Sequence, residues 1–105
     1  MGNFALYALP SDDQEEMKAK IETLLGIEFE GRHSDERGEY YRTRGFENEV
    51  SIYTNLEPSG EIWNEEKFRE FPLLLSIVGS PRLDEYHQLL TGENDLAAVL
   101  IERHL

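Results

Sequence analysis

Three histidines, 22 carboxylates and no cysteine bound the chemistry open to this 105-residue chain. Without a thiol there is no cysteine nucleophile, no thiolate metal site and no disulfide framework. His33, His87 and His104 are nowhere spaced as metal ligands, and no H-E-x-x-H occurs. His33-Ser34-Asp35 holds the residue types of a nucleophilic triad, but three neighbours in one loop cannot form its geometry. His33 therefore reads as a solvated loop histidine, His87 as packing beside an apolar helix face, and His104 as exposed. A carboxylate pair could serve glycoside hydrolysis, yet glutamates this abundant single out no particular pair. Phosphate-binding glycine loops, the G-x-S-x-G elbow and the calcium-loop pattern are absent. The residues point to no cofactor, no metal and no catalytic role. A carboxylate-based hydrolase stays as a third reading behind two binding functions.

The charge points to binding. The chain carries 10 Lys and Arg against 22 Asp and Glu, a net −12 with histidines neutral. A nucleic-acid backbone needs clustered Lys and Arg, so that partner is excluded. Anionic membrane surfaces are disfavoured for the same reason. The longest apolar run, Leu73 to Val78, is far shorter than a membrane span. Met1-Gly2-Asn3-Phe4 has no basic n-region, and Leu6 stands where a myristoylation motif wants Ser or Thr. A cytoplasmic protein is expected.

The acid is concentrated. Residues 11–16 hold Asp12, Asp13, Glu15 and Glu16, which helix-start electrostatics explains. From Gly45 to Glu66 come Glu47, Glu49, Glu57, Glu61, Glu65 and Glu66 with no Lys or Arg. The same stretch contains Tyr53, Asn55, Trp63 and Asn64. It is either a solvated face or a recognition surface for a cationic partner. Trp63 is either a plug under the loop or an interface anchor. Asp35 and Glu36, in the polar loop His33–Gly38, either form a local ion-pair turn or face an outside cation. The candidate partner-binding residues are Asp35, Glu36, Tyr53, Asn55, Glu57, Glu61, Trp63, Asn64, Glu65 and Glu66.

The elements that must position them follow from periodicity and punctuation. One domain, 1–105, is expected, and a chain of this length buries roughly 65% of its unfolded surface. Phe4 to Leu9 is apolar throughout and reads as a central strand ending at Pro10. Ser11 with Gln14 makes a capping-box pattern, and Met17, Ile21, Leu24 and Leu25 form a helical stripe closed by Gly26. Ile27–Arg32, Glu39–Arg44 and Glu49–Asn55 read as three strands of an antiparallel meander, with Gly45 turning the chain. Val50 and Ile52 fall on one face, Ser51 and Tyr53 on the other. Tyr40, Tyr41 and Tyr53 are core or contact surface, according to which face is covered. Leu56 to Pro72 is irregular, with Asn64 placed to cap a short helix. Leu73–Val78 is a buried strand. Ser80-Pro81 opens a second helix with Leu83, Tyr86 and Leu90 inward and Gly92 at its end. Asp95–Arg103 is a last strand, or alternatively a short helix. The order β-α-β-β-β-(α)-β-α-β predicts an α+β fold: a mixed, mainly antiparallel sheet with two main helices packed on it.

These elements carry a resemblance. The apolar first strand, the acidic helix ending in Leu-Leu-Gly-Ile-Glu-Phe, the Arg-x-Ser segment, the Gly-Glu-Tyr-Tyr strand, the strand ending in Asn55, the Trp63-Asn64-Glu65 segment and Phe71-Pro72-Leu73-Leu74-Leu75 run from Phe4 to about Val78. Over that span the chain resembles the small acidic immunity proteins of contact-dependent growth inhibition, a polymorphic toxin system. The resemblance implies a non-enzymatic cytoplasmic protein that binds and neutralises the C-terminal domain of its cognate toxin, often a basic nuclease. It hands over no fixed site, because interface residues vary in such families. The alternative is an acidic protein–protein interaction module with a non-toxin partner.

Overall fold

The computed structural model describes residues 3–44 and 49–104. Six strands form one sheet, β1 (Phe4–Leu9), β2 (Phe29–Ser34), β3 (Gly38–Thr43), β4 (Glu49–Thr54), β5 (Leu73–Val78) and β6 (Val99–His104), in the order β2-β3-β4-β5-β1-β6. Every neighbouring pair is antiparallel, so the parallel component of the expected mixed sheet is missing. Two helices, α1 (Gln14–Leu25) and α2 (Leu83–Thr91), complete the α+β fold. No helix among the described residues is long and apolar enough to cross a membrane.

Alternation along the strands divides the core in two. Ala5, Tyr7 and Leu9 of β1, Val50 and Ile52 of β4, and Leu73, Leu75 and Ile77 of β5 face the helices. They meet Met17, Ile21 and Leu25 of α1 and Leu83, Tyr86 and Leu90 of α2, all buried. Each such Leu or Ile contributes about 1.5–3 kcal/mol by leaving water. The opposite face carries Leu6, Ala8, Tyr53 and Leu74, covered by Phe68 and Phe71 from the β4–β5 connection. Burial on both faces is why β1 and β5 have no polar face.

Several boundaries differ from expectation, each for a local reason. The N-cap of α1 is Asp13 rather than Ser11. Its carboxylate accepts from the Glu16 N–H at 3.0 Å, while the Ser11 hydroxyl accepts from the Asp13 N–H. Gly26 closes the helix at φ 67°, and both its N–H and that of Ile27 bond the Glu22 carbonyl. That closure holds Ile27 out of the ladder, so β2 starts at Phe29. It continues through His33 and Ser34, which pair with Glu39 and Gly38, and the expected loop shrinks to residues 35–37. In α2 the helix starts at Leu83, and Pro81 lies in the preceding turn. The short helix is a 3-10 turn, Glu66–Phe68, with no side-chain cap. Pairing with β1 makes the last segment a strand. The turn assigned to Gly45, and Glu47, lie outside the described residues.

Candidate partner-binding surface

The acidic stretch does not stay together. Glu49 opens β4, about 17 Å of strand from Thr54 at strand rise, and pairs with Arg42 at 3.5 Å. Glu57, Glu61, Glu65 and Glu66 lie on the connection that leaves β4. Its first part is a small hairpin. Leu56 and Trp63 form an antiparallel bridge, and the Glu57 N–H bonds the Ile62 carbonyl at 2.8 Å. Inside it, the Gly60 N–H bonds the Glu57 carbonyl at 2.9 Å. Pro58 presets the turn, and Gly60, at its fourth position, takes a left-handed conformation, φ 77°, that glycine adopts without steric cost.

Asn55 fastens this hairpin to the rest of the connection. It is fully buried. Its Nδ2 lies 3.0–3.2 Å from the carbonyls of Glu65, Phe68 and Phe71, and its Oδ1 accepts from the Glu65 N–H at 2.8 Å. Asn64 adds bonds from its side chain to the carbonyls of Thr54 and Asn55, both at 3.2 Å. That role displaces the helix-capping one expected of it. Asn55 therefore builds the surface and offers nothing to a partner. Tyr53 is likewise buried, its ring in the second core cluster. Burial pushes the Tyr53 phenol up, and the nearby Arg37 guanidinium partly offsets this.

Arg37 joins the second candidate segment to the first. Its guanidinium carbon lies 4.2 Å from the Tyr53 ring centroid and 5.2 Å from that of Tyr40. The next residue, Gly38, sits so close to Pro58 that a Cβ there would stand 3.2 Å from the proline Cγ. The turn bearing the exposed Asp35 and Glu36 thus abuts the hairpin bearing Glu57 and Glu61. Glu61, Asn64 and Glu66 are exposed, while Glu57, Trp63 and Glu65 are half-buried. Two residues of these segments that were not among the candidates stand out in the structure: Arg37, stacked on Tyr53 and Tyr40, and Ile62, which is 57% exposed. The Glu57-Pro58-Ser59-Gly60 turn signature was the available sign of the hairpin; neither Arg37 nor Ile62 stands out from its neighbours in sequence.

The histidines are scattered. His33 is exposed on β2, beside an open cleft of about 490 Å3 between that edge and the start of α1. His104 stacks on Phe4 and pairs with Glu102. His87 is half-buried, with Nδ1 2.8 Å from the Tyr7 hydroxyl. Among the described residues no group of three His, Cys, Asp or Glu side chains could hold a metal ion.

Comparison with protein-family models, with curated proteins and with solved structures gave no match.

Proposed function

We propose that this chain is an immunity protein of a contact-dependent growth inhibition system. It acts in the cytoplasm, binds the C-terminal domain of its cognate toxin in a stoichiometric complex, and occludes that domain through its acidic surface. The toxin domain is a basic nuclease, with no nucleic acid, membrane or cofactor engaged by the inhibitor itself. The observation that carries the reading is the close approach of Gly38 to Pro58, which sets the turn bearing the exposed Asp35 and Glu36 against the connection bearing Glu57, Glu61, Glu65 and Glu66. A nuclease site must attract a polyanion and so is lined by Lys, Arg and His. A protein of net −12 exploits that same field. Steering of this kind raises association rates by roughly 10- to 1,000-fold.

The test is co-expression with the toxin domain encoded immediately upstream, followed by stopped-flow association at increasing salt. Rescue of growth and an on-rate that falls steeply with ionic strength are expected. Reversing Glu57, Glu61, Glu65 and Glu66 together should slow association. Failure to rescue rejects the toxin assignment. Rescue with a salt-independent on-rate rejects the acidic surface. If a basic protein other than a toxin is captured with the same salt dependence, the chain is the interaction module instead.

A further inference from the structure

The most exposed large apolar side chain among the described residues sits on the hairpin that leaves β4. Ile62 is 57% exposed, against 38–39% for Val78, Val99 and Leu100. It stands one residue before the Leu56–Trp63 bridge, and its own carbonyl is held by the Glu57 N–H at 2.8 Å. The turn beneath it is set by Pro58 and the left-handed Gly60, and Asn55 pins the following residues through buried hydrogen bonds. A hairpin restrained at both ends cannot fold Ile62 back onto the sheet, where Phe68 and Phe71 already fill the space over Leu6, Ala8, Tyr53 and Leu74. The side chain is thus presented rather than merely left outside.

We infer that Ile62 is the apolar anchor of the partner interface. It inserts into an apolar pocket on a basic protein, with Glu57 and Glu61 on the same hairpin meeting Lys or Arg at that pocket's rim. This rests on the function proposed above and names the residue at the centre of that surface. The division of labour is physical. Rim charges act across solvent and set the rate of encounter, whereas a desolvated apolar contact at the centre sets how long the complex lasts. A single exposed isoleucine on a mobile loop would lose that gain to ordering on binding; one already held by backbone hydrogen bonds does not.

The experiment uses the full chain and the C-terminal domain of the secreted protein encoded beside it, with Ile62→Ala and Ile62→Asp. Both substitutions are at an exposed position, so Tm should stay with the parent. Ile62→Ala is expected to weaken binding by about tenfold or more through a faster off-rate, with the on-rate nearly unchanged. Ile62→Asp should weaken it further although it adds negative charge, the opposite of what a purely electrostatic surface does. If both variants bind within about twofold of the parent, the anchor is overturned while the immunity reading stands. If the parent itself does not bind that domain, the reading and the anchor fall together.

Discussion

The Tyr7 hydroxyl of β1 lies 2.8 Å from Nδ1 of His87 on α2, joining residues 80 positions apart across the helix–sheet interface. The phenol is fully buried, and desolvation pushes its pKa up to about 12, so it remains protonated throughout the physiological range. The protonated hydroxyl can donate to Nδ1 or accept from an Nδ1–H, according to the His87 tautomer.

A titration prediction follows from that pair. Tyr7 loses its proton near pH 10 in the unfolded chain and near 12 in the folded one. The folded state therefore holds more protons between those values, and stability falls as pH rises through that window. Tyr7→Phe should lower stability by about 1 kcal/mol at pH 8, because His87 loses its partner. It should also flatten the decline between pH 10 and 12. Urea melts of parent and variant across that range check it, and equal slopes would refute the assignment.

Asn55 offers the sharpest mutational contrast. Asn55→Ala leaves the Glu65 N–H and three carbonyls without their shared partner, and is expected to destabilise by about 2–4 kcal/mol. Release of the 56–72 connection should also red-shift Trp63 fluorescence. A loss below about 1 kcal/mol with an unshifted spectrum would show that other contacts hold the connection.

The start of α1 distinguishes two readings of one sequence. Asp13→Ala should cost about 1 kcal/mol, the usual loss at an N-cap. Ser11→Ala, two residues outside the helix, should cost less than half of that. Thermal melts giving the reverse order would restore Ser11 as the cap.

Arg37 is expected to hold the two acidic segments in register. Arg37→Ala removes a guanidinium stacked on Tyr53 and Tyr40, an interaction of about 0.5–2 kcal/mol. Amide exchange should quicken in residues 35–38 and 56–63, while the α1 and α2 amides keep their protection. Arg37→Lys should restore part of the effect. Uniform exchange across the whole chain would mean a global loss of stability instead of a local latch.

The order of the elements and the type of the first five strands and two main helices were legible in the sequence, because they depend on near neighbours; the last segment was open between strand and helix until its pairing with β1. The period-2 and period-3.6 placement of Val50, Ile52, Met17, Ile21 and Leu25 needs no knowledge of what they pack against. The excess of carboxylates was equally plain. Three-dimensional contact decided the rest. The strand order, with β1 between β5 and β6, comes from pairing partners up to 100 residues apart, such as Phe4 with His104. Asn55 and Tyr53 looked like candidate contacts and are buried, because only the folded chain brings Phe68 and Phe71 down on that face. The Asp35–Glu36 turn meets the 56–63 hairpin through Gly38 against Pro58, and meets β4 through Arg37 over Tyr53. Local propensity is carried by the covalent neighbours of a residue, but burial and juxtaposition belong to chain segments that meet only after the sheet has closed.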